Sequence, residues 1–375
     1  MSTAKKQVGA ASPVRAEDAF DVATVASWLH RQAADDSGLD AVPEVRQFSG
    51  GASNLTYLLR YPTRDLILRR PPKGQKAGGA HNMGREFRIQ AALAPLFPYV
   101  PSMVAMCEDR DVLGSEFYVM DRIVGHIPRR HLDVELDQAQ IRQLCLNVVD
   151  LLVDLHSVDP AAAGLAALSK GDGYVARQVS GWSERYRRAR TWNTGTFEKV
   201  IRWLDENTPP DTGQCLIHND FRLDNVVLDL DELTRPAGLL DWEMATVGDP
   251  LMDLGGALAY WVQADDGPLF RASRRQPTHL PGMLTRREVV EYYCARTGRH
   301  LTEQEWLFYE VFGLFRLAVI VQQIWYRYHH GETTNPAFRH FGKFVIALEL
   351  RCRRLIRADR RRRSNVEPVR IGVQP

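Results

Sequence analysis

The sequence has few cysteines and no excess of one charge, and each shortage argues against a class of protein. Its 375 residues include five cysteines, which are scattered and form no C-x-x-C pair. A disulfide framework or a zinc knuckle is therefore not expected, and a reducing, cytoplasmic location is. Lysine plus arginine (48) nearly balances aspartate plus glutamate (46), so overall charge does not draw the chain to nucleic acid or to a membrane.

Long apolar runs are missing as well. The most apolar stretch, residues 311–325, is interrupted by Arg316 and two glutamines, and we interpret it as too short and too polar to span a bilayer. The N-terminus has no apolar segment of the signal-peptide type. What remains is an ordinary globular composition, 45% hydrophobic and 25% charged, which is compatible with two or three domains or one large two-lobed unit.

One segment near the C-terminus is strongly basic. Residues 351–363 hold eight arginines and one acid, Asp359. We interpret the segment as the solvated end of a helix, followed by a basic, disordered tail over residues 359–375. The alternative, that the arginines bind nucleic acid or anionic lipid, stays open and predicts a steeply salt-dependent affinity for DNA.

Apolar periodicity divides the chain into a strand-rich part and a helical part. A flexible leader (1–18) is followed by short apolar runs between turn residues, and from residue 137 onward apolar residues recur mostly at helical spacing. We therefore predict an α+β fold with a small antiparallel-sheet lobe (19–121), a larger, mainly helical lobe (122–358) and a ligand cleft. Strands are expected at residues 55–60, 66–69, 103–107, 117–120, 215–217, 226–228 and 238–240.

The stretch from His218 to Asn225 carries the most specific chemical pattern. It reads HNDFRLDN, which has the form H-x-D-x-x-x-x-N between two apolar runs, and Asp241 follows directly after a third apolar run. Phosphoryl transfer depends on positioning and charge neutralisation, because the transferred group spreads its charge over three oxygens. Asp220 can accept the proton of an attacking hydroxyl, and Asn225 and Asp241 offer oxygen donors of the kind that Mg²⁺ prefers. The pattern therefore predicts a phosphoryl-transfer site at which these three side chains converge.

These motifs resemble those of the aminoglycoside phosphotransferase family, within the protein-kinase-like superfamily, over residues 45–330. The loop from His218 to Asn225 is similar to the family's catalytic loop, and Asp241-Trp-Glu with residues 248–254 is similar to its metal-binding segment. Three further stretches, LILRRPP from Leu66, REF from Arg85 and FYVMDRIVG from Phe117, resemble the kinase-like half of certain acyl-CoA dehydrogenase fusion proteins. No dehydrogenase portion follows in this sequence.

The resemblance implies a protein-kinase-like two-lobed fold and an enzyme that moves the γ-phosphoryl group of ATP or GTP to a hydroxyl group of a small molecule. It implies that Asp220 is the general base and that Asn225 and Asp241 hold Mg²⁺. Support for the catalytic loop is expected from His218, Arg222 and Asp249.

The nucleotide is expected in the strand-rich lobe, where small residues let backbone N–H groups approach an anion. A plain turn is the alternative for this glycine-rich segment. The adenine is expected beside the backbone of the connection to the helical lobe. The predicted phosphate lid comprises Ser49, Gly50, Gly51, Ser53 and Asn54, and the predicted adenine contacts are Met120, Asp121 and Ile123.

Two positions depart from the patterns of related enzymes. Arg69 stands where protein kinases carry a lysine; because arginine forks onto carboxylate or phosphate, we expect Arg69 to pair with Glu86 and touch phosphate. Arg70, on the opposite strand face, is its rival, and two surface arginines on an edge strand are the other alternative. Asn219 replaces the usual glycine after the histidine and is the next-best residue if φ is positive there.

The residues expected near the acceptor argue against a polycationic substrate. Residues 177–192 hold five arginines and one acid, Glu184, with aromatics interleaved, and residues 325–330 are also aromatic and basic. This pattern favours an anionic, hydroxyacyl-CoA-like acceptor. Three alternatives stay open: a solvated helix face, an aminoglycoside or other antibiotic as acceptor, and a catalytically silent nucleotide-binding regulator. The acceptor contacts are predicted at Trp182, Arg185, Tyr186, Trp325 and Arg327.

Overall fold

The chain divides into two compact units, which are described one at a time. The first unit comprises residues 1–127 and 225–245, and the second comprises 128–224 and 246–375. Residues 225–245 therefore belong with the strand-rich part and not, as predicted, with the helical part. The computed structural model describes residues 11–48, 54–72, 82–363 and 370–371.

The secondary structure follows the predicted order of strands and helices. The strands are β1 (Glu44–Gln47), β2 (Leu55–Arg60), β3 (Asp65–Arg70), β4 (Met103–Cys107), β5 (Phe117–Asp121), β6 (Cys215–Ile217), β7 (Val226–Leu228), β8 (Pro236–Leu239), β9 (Thr246–Gly248), β10 (Leu301–Thr302) and β11 (Arg370–Ile371). The helices are α1 (Val22–Gln32), α2 (Met83–Leu93), α3 (Arg110–Leu113), α4 (Gln138–Ser157), α5 (Tyr174–Ala189), α6 (Glu198–Glu206), α7 (Pro250–Ala259), α8 (Pro268–Ser273), α9 (Arg286–Thr297), α10 (Glu303–His329) and α11 (Phe341–Arg363). The strands that the sequence did not predict are all short: β1, β9, β10 and β11.

A five-stranded antiparallel sheet in the order β1-β2-β3-β5-β4 forms the centre of the first unit. Successive side chains of β3 alternate between its faces, as the pleat requires. Leu66 and Leu68 pack with α1, whereas Ile67 packs in a second cluster with Met83 of α2. The same alternation places Arg69 on the α2 side and Arg70 on the α1 side.

A short hairpin of β7 and β8 completes the first unit. Val226 pairs with Leu239, and the Leu240 N–H donates to the Asn225 carbonyl oxygen at 2.8 Å. The segment after β5 joins this hairpin through two backbone hydrogen bonds between His126 and Leu228, at 2.9 and 2.7 Å. The register therefore brings Asn225 and the residue before Asp241 together at one end of the hairpin.

The predicted leader and tail both differ from the structure in their boundaries. Ser12 exchanges two backbone hydrogen bonds with Gln47, both at 2.8 Å, and buried Asp18 accepts one from the Gln47 side chain. The sequence-based boundary at residue 18 is therefore too late. At the other end α11 continues to Arg363, beyond the predicted start of the tail at residue 359.

The second unit is built around α10, a 27-residue core helix. The helix is long and apolar enough to cross a membrane, by length and composition, so the expectation that this part of the chain is too short and too polar was wrong on both counts. However, 78% of its most apolar 18-residue window is buried inside the protein. A buried core helix passes the same test of length and composition, so the result is weak evidence for a membrane span. Gly255 of α7 and Gly313 of α10 let the two helices cross closely: a Cβ on Gly313 would lie 2.1 Å from the Gly255 carbonyl oxygen.

Candidate functional site

Arg69 joins three segments of the first unit. Its Nη1 lies 2.5 Å from Glu86 Oε1 on α2, and its Nη2 lies 3.1 Å from Asp241 Oδ1 after β8. Burial alone would lower the pKa of Arg69, but the charges of Glu86 and Asp241 outweigh it and hold that pKa well above its usual range. The structure thus shows the predicted Arg69–Glu86 pair and adds Asp241 to it.

Arg70 has a different environment, as the strand alternation requires. It is 2% exposed, and its guanidinium donates to the Asp18 carbonyl oxygen at 2.6 Å and to the Tyr57 hydroxyl at 2.8 Å. It also lies over the rings of Phe20 and Tyr57. Arg70 therefore braces the α1 side of the sheet, and the alternative of two surface arginines is wrong.

Glu86→Gln tests how far the first unit depends on the buried ion pair. The change leaves the Arg69 guanidinium buried with one charged partner fewer, so we expect the free energy of unfolding to fall by about 3–5 kcal/mol. Urea denaturation followed by tryptophan fluorescence measures it. Glu44→Gln, which removes an exposed partner of Arg46, is the control and should leave the free energy of unfolding nearly unchanged. Equal losses in the two variants would contradict the assignment.

Asp241 and Asn225 are the two candidate Mg²⁺ ligands of the first unit. Asp241 has φ +70°, a left-handed conformation that aspartate tolerates, and its carboxylate is about one-third exposed. Asn225 is close to Asp241 along the backbone of the hairpin. Its carbonyl oxygen accepts a hydrogen bond from the N–H of Leu240, the residue before Asp241. One carboxylate and one amide oxygen are a donor set that fits Mg²⁺ when phosphate oxygens and water complete the shell.

The segment after Asp241 is fixed by residues that the sequence reasoning did not place in the site. Buried Trp242 donates from Nε1 to the Leu239 carbonyl oxygen at 2.8 Å. Arg85 of α2 donates to the carbonyl oxygens of Glu243, at 3.0 Å, and Ala245. The REF motif already contained Arg85, and its position next to Glu86 was the available signal.

The predicted phosphate lid is described at only one of its five residues. Asn54 donates from Nδ2 to Glu243 Oε2 at 3.0 Å, which links it to the segment after Asp241. The other predicted lid residues, which lie outside the described residues, are Ser49, Gly50, Gly51 and Ser53.

The predicted adenine contacts lie at the end of β5. Met120 is buried in the cluster on the α2 side of the sheet, and the Asp121 carboxylate accepts a hydrogen bond from Arg64 at 2.8 Å. Ile123 packs directly against Gly238. A Cβ added to Gly238 would lie only 2.4 Å from Ile123 Cδ1. Their role towards a nucleotide stays a prediction.

The catalytic-loop sequence of the second unit is folded around one carboxylate. The N–H groups of His218 and Asn219 donate to Asp253 Oδ2 and Oδ1 at 2.7 and 2.8 Å, and the Asp220 N–H donates to His218 Nδ1 at 3.2 Å. Asn219 has φ +63°, the conformation for which asparagine was expected to replace glycine. These contacts fix the backbone of the proposed base.

Asp253 supports the loop, whereas the sequence assigned this role to Asp249. Asp249 caps α7 through the N–H groups of Leu251 and Met252 and accepts two hydrogen bonds from Thr212. Both aspartates suit caps and turns, and the sequence signal that separates them is Pro250, a residue typical of the first helical position, which favours Asp249 as the N-cap. The helix start decides between them: Asp249 stands at the N-cap, and Asp253 lies one turn inside α7.

A buried chain of polar groups holds Asp253. His156 Nε2 lies 3.2 Å from Asp253 Oδ2, and His156 Nδ1 lies 2.8 Å from the Tyr293 hydroxyl. Burial alone would raise the pKa of Asp253, but the hydrogen bond and charge of His156, with those of His218, hold it below the usual range. The carboxylate therefore stays charged at neutral pH.

Asp253→Asn should destabilise the second unit in a pH-dependent way. The asparagine keeps one acceptor but turns an N–H donor towards a backbone N–H, which costs about 2–3 kcal/mol at pH 7. Because the folded-state pKa lies below the unfolded value of about 3.9, the wild-type advantage is complete above that value and is lost as pH falls through the folded pKa. Urea unfolding between about pH 3 and 7 measures the difference in the free energy of unfolding between the wild type and the variant. A difference that grows as the pH falls would contradict this explanation.

Arg222 supports the loop from the side of the proposed base. Its Nη2 lies 3.4 Å from Asp220 Oδ2, its Nε lies 3.2 Å from Asp224 Oδ1, and its guanidinium lies over the Tyr260 ring at 5.0 Å. The predicted supporting role of Arg222 thus agrees with a direct contact between its guanidinium and the Asp220 carboxylate. The Arg222 guanidinium therefore lies within ion-pair distance of the proposed base.

Of the five predicted acceptor contacts, Trp182 and Arg185 lie against each other on α5. The other three lie elsewhere or are engaged by other parts of the protein. The Arg185 guanidinium lies 4.6 Å from the centre of the Trp182 ring. Tyr186 is fully buried and donates its hydroxyl to the Gly195 carbonyl oxygen at 2.6 Å, so it is a packing residue and not an acceptor contact. Trp325 donates to the Thr191 hydroxyl at 3.2 Å, and Arg327 is exposed.

The chain matches a known protein family. The model of the phosphotransferase enzyme family matches residues 44–289, which is more than half of the chain. The chain belongs to this family. The resemblance derived from the catalytic-loop motif is thereby confirmed.

The relatives of this phosphotransferase-family chain include the predicted fusion proteins. It is 34% identical over 306 residues to acyl-CoA dehydrogenase family member 10 of Mus musculus, covering 81% of this chain and 28% of the mouse protein. It is 33% identical over 321 residues to family member 11 of Rattus norvegicus, covering 84% of this chain and 41% of the rat protein. The chain thus spans less than half the length of either relative.

Solved structures of phosphotransferases confirm the predicted kinase-like α+β fold. A Ralstonia eutropha JMP134 protein with the provisional name aminoglycoside phosphotransferase has a TM-score of 0.76 and 26% identity, covering 91% of this chain and 99% of that one. The streptomycin–ATP complex of APH(2")-IIa has a TM-score of 0.52 and 18% identity, covering 81% and 90%. At that identity the second match shows the fold alone.

Proposed function

We propose that this phosphotransferase-family protein moves the γ-phosphoryl group of Mg-ATP or Mg-GTP to a hydroxyl group of a small molecule. The observation that carries the proposal is the three-way contact of Arg69 with Glu86 and Asp241. It places a fixed guanidinium, which suits phosphate oxygens, against the carboxylate that is the better of the two candidate Mg²⁺ ligands.

Each residue of the motif has a defined task in this reaction. Asp220 accepts the proton of the acceptor hydroxyl as the new P–O bond forms and the bond to the nucleoside diphosphate breaks. Arg69 neutralises phosphate charge, and Asn225 and Asp241 would hold Mg²⁺. The bound metal supplies further charge neutralisation on the phosphate oxygens. Asp253 and Arg222 keep the loop of the base in place.

We propose an anionic acceptor, of the hydroxyacyl-CoA type. Arg185 is exposed, stacks on Trp182 and is offered no ion pair by the described residues, so its guanidinium suits a phosphate or carboxylate. Two relatives carry acyl-CoA dehydrogenase in their names, which agrees in chemical class. An antibiotic acceptor is the second candidate, favoured by the 26%-identical Ralstonia eutropha structure, whose provisional name is aminoglycoside phosphotransferase.

A panel of acceptors with γ-labelled ATP separates these candidates. We expect label transfer to hydroxyacyl-CoA compounds and none to kanamycin or streptomycin, with the opposite result contradicting the anionic acceptor. Arg185→Ala should raise the KM of the anionic acceptor by about tenfold, while Arg188→Ala, on the same helix, serves as the matched control. Binding of Mg-ATP without transfer to any acceptor would favour the silent regulator.

A further inference from the structure

Arg316 is a buried arginine of α10 that contacts the backbone of the catalytic loop. It is 7% exposed, and its Nη2 donates a hydrogen bond to the carbonyl oxygen of Asn219. That carbonyl belongs to the peptide group that joins Asn219 to Asp220. The contact therefore acts on the main chain of the proposed base and not on its side chain.

The same peptide group is held at its other end. The Asp220 N–H donates to His218 Nδ1 at 3.2 Å, and the N–H on the far side of Asn219 donates to Asp253. Arg316 supplies the contact on the carbonyl side. With both ends held, the peptide cannot rotate without breaking a hydrogen bond, which restrains the backbone from which the Asp220 side chain extends.

The backbone at Asn219 needs such contacts. Its φ of +63° is a left-handed conformation that non-glycine residues adopt at a cost. Such conformations persist when the surrounding contacts over-determine them. A hydrogen bond from a charged donor is stronger than one from a neutral donor, so Arg316 is well suited to hold this carbonyl.

The surroundings of Arg316 are built to hold an arginine. Its guanidinium lies 5.3 Å from the centre of the Trp182 ring, and Gly256 of α7 leaves it room, since a Cβ there would lie 2.9 Å from Nη1. Among the described residues no carboxylate forms an ion pair with it. A buried cation without such a partner is costly, which indicates a specific task at the Asn219 carbonyl.

We propose that Arg316 is a positioning residue for Asp220. Held against Trp182, its guanidinium fixes the Asn219–Asp220 peptide and so aims the Asp220 carboxylate at the acceptor hydroxyl. The inference rests on the proposed function for the role of Asp220, but the backbone contact itself can be tested without any activity.

Arg316→Met removes the contact, and Arg351→Met is the matched control. Arg351 is a largely buried arginine of the same unit, bonded to Asp266 and stacked on Phe270. In the full chain we expect Arg316→Met to lower kcat by about 10- to 100-fold with little change in the KM of Mg-ATP. Arg351→Met should lower the melting temperature with kcat nearly unchanged. Equal kcat in the two variants would overturn the proposal.

The conservative variant and the double variant separate positioning from stability. Arg316→Lys keeps a charged donor without the planar fork, so it should recover part of the lost kcat. In an Asp220→Asn background, Arg316→Met should cost no more than about twofold, because the residue acts through Asp220. A full additional loss in that background would show that Arg316 acts independently of the base, against the proposal.

Hydrogen–deuterium exchange tests the contact without a substrate. We expect the amides of residues 219–223 to exchange at least about tenfold faster in Arg316→Met and at the wild-type rate in Arg351→Met. Unchanged exchange in Arg316→Met would overturn the positioning role. A wild-type protein that transfers phosphate to no acceptor would contradict the proposed function alone, and the exchange result would still decide the role of Arg316.

Discussion

Asp220→Asn should lower the rate of phosphoryl transfer by about 10²- to 10⁴-fold. The amide has nearly the size of the carboxylate but cannot accept the proton of the acceptor hydroxyl. Mg-ATP affinity should stay near the wild-type value, because the proposed phosphate and metal contacts are Arg69, Asn225 and Asp241. Steady-state kinetics gives the rate, and titration calorimetry gives the nucleotide affinity.

Asp224→Asn is the matched control for this variant. Asp224 lies in the same loop, binds the same Arg222 and has nearly the same exposure, 20% against 22% for Asp220. We expect its kcat to stay within about tenfold of wild type, since loss of one charge beside Arg222 does not remove the proton acceptor. If Asp220→Asn turns over as fast as Asp224→Asn, Asp220 is not the base.

Asp241→Asn should weaken the binding of Mg-ATP by about 100-fold, which corresponds to roughly 2.7 kcal/mol. The variant replaces an anionic oxygen donor by a neutral one, and Mg²⁺ binds carboxylate oxygens more strongly. Arg69 also loses one of its two charged partners but keeps Glu86. Nucleotide binding measured without metal should not weaken, because the variant removes a negative charge that repels the phosphates.

Asp229→Asn controls for the loss of an arginine-paired carboxylate in the same unit. Asp229 follows β7 and binds Arg235 at 2.6 Å. Titration of Mg²⁺ at fixed ATP should show wild-type behaviour for this control and a strongly raised metal requirement for Asp241→Asn. The same metal requirement in both variants would remove Asp241 from the metal site.

The strands and the catalytic loop could be predicted because their signals are local. The run from Leu66 alternates on a pleated strand, so its period alone separates the faces of Arg69 and Arg70. The spacing of the loop motif is likewise local. Asn219 stands where related enzymes usually carry glycine, and it has the positive φ for which asparagine is the next-best residue.

Two supporting residues, Asp253 and Arg316, could not be predicted because their contacts are set by helix packing. Asp253 reaches the loop from α7, and Arg316 reaches it from α10, 97 residues after Asn219. Nothing in an apolar helix pattern distinguishes an arginine that binds a distant carbonyl from one that merely interrupts the run. Tyr186 shows the opposite error: an interleaved aromatic suggested a ligand contact, but the ring is buried in the core.

The most direct test of the proposed phosphoryl transfer is ³¹P NMR of the full chain with Mg-ATP and a mixture of anionic and cationic hydroxyl acceptors. We expect a new phosphomonoester signal that grows in step with ADP and is nearly absent with Asp220→Asn. Slow release of ADP and inorganic phosphate alone, at the same rate in both proteins and with no phosphomonoester, would contradict the proposed transfer.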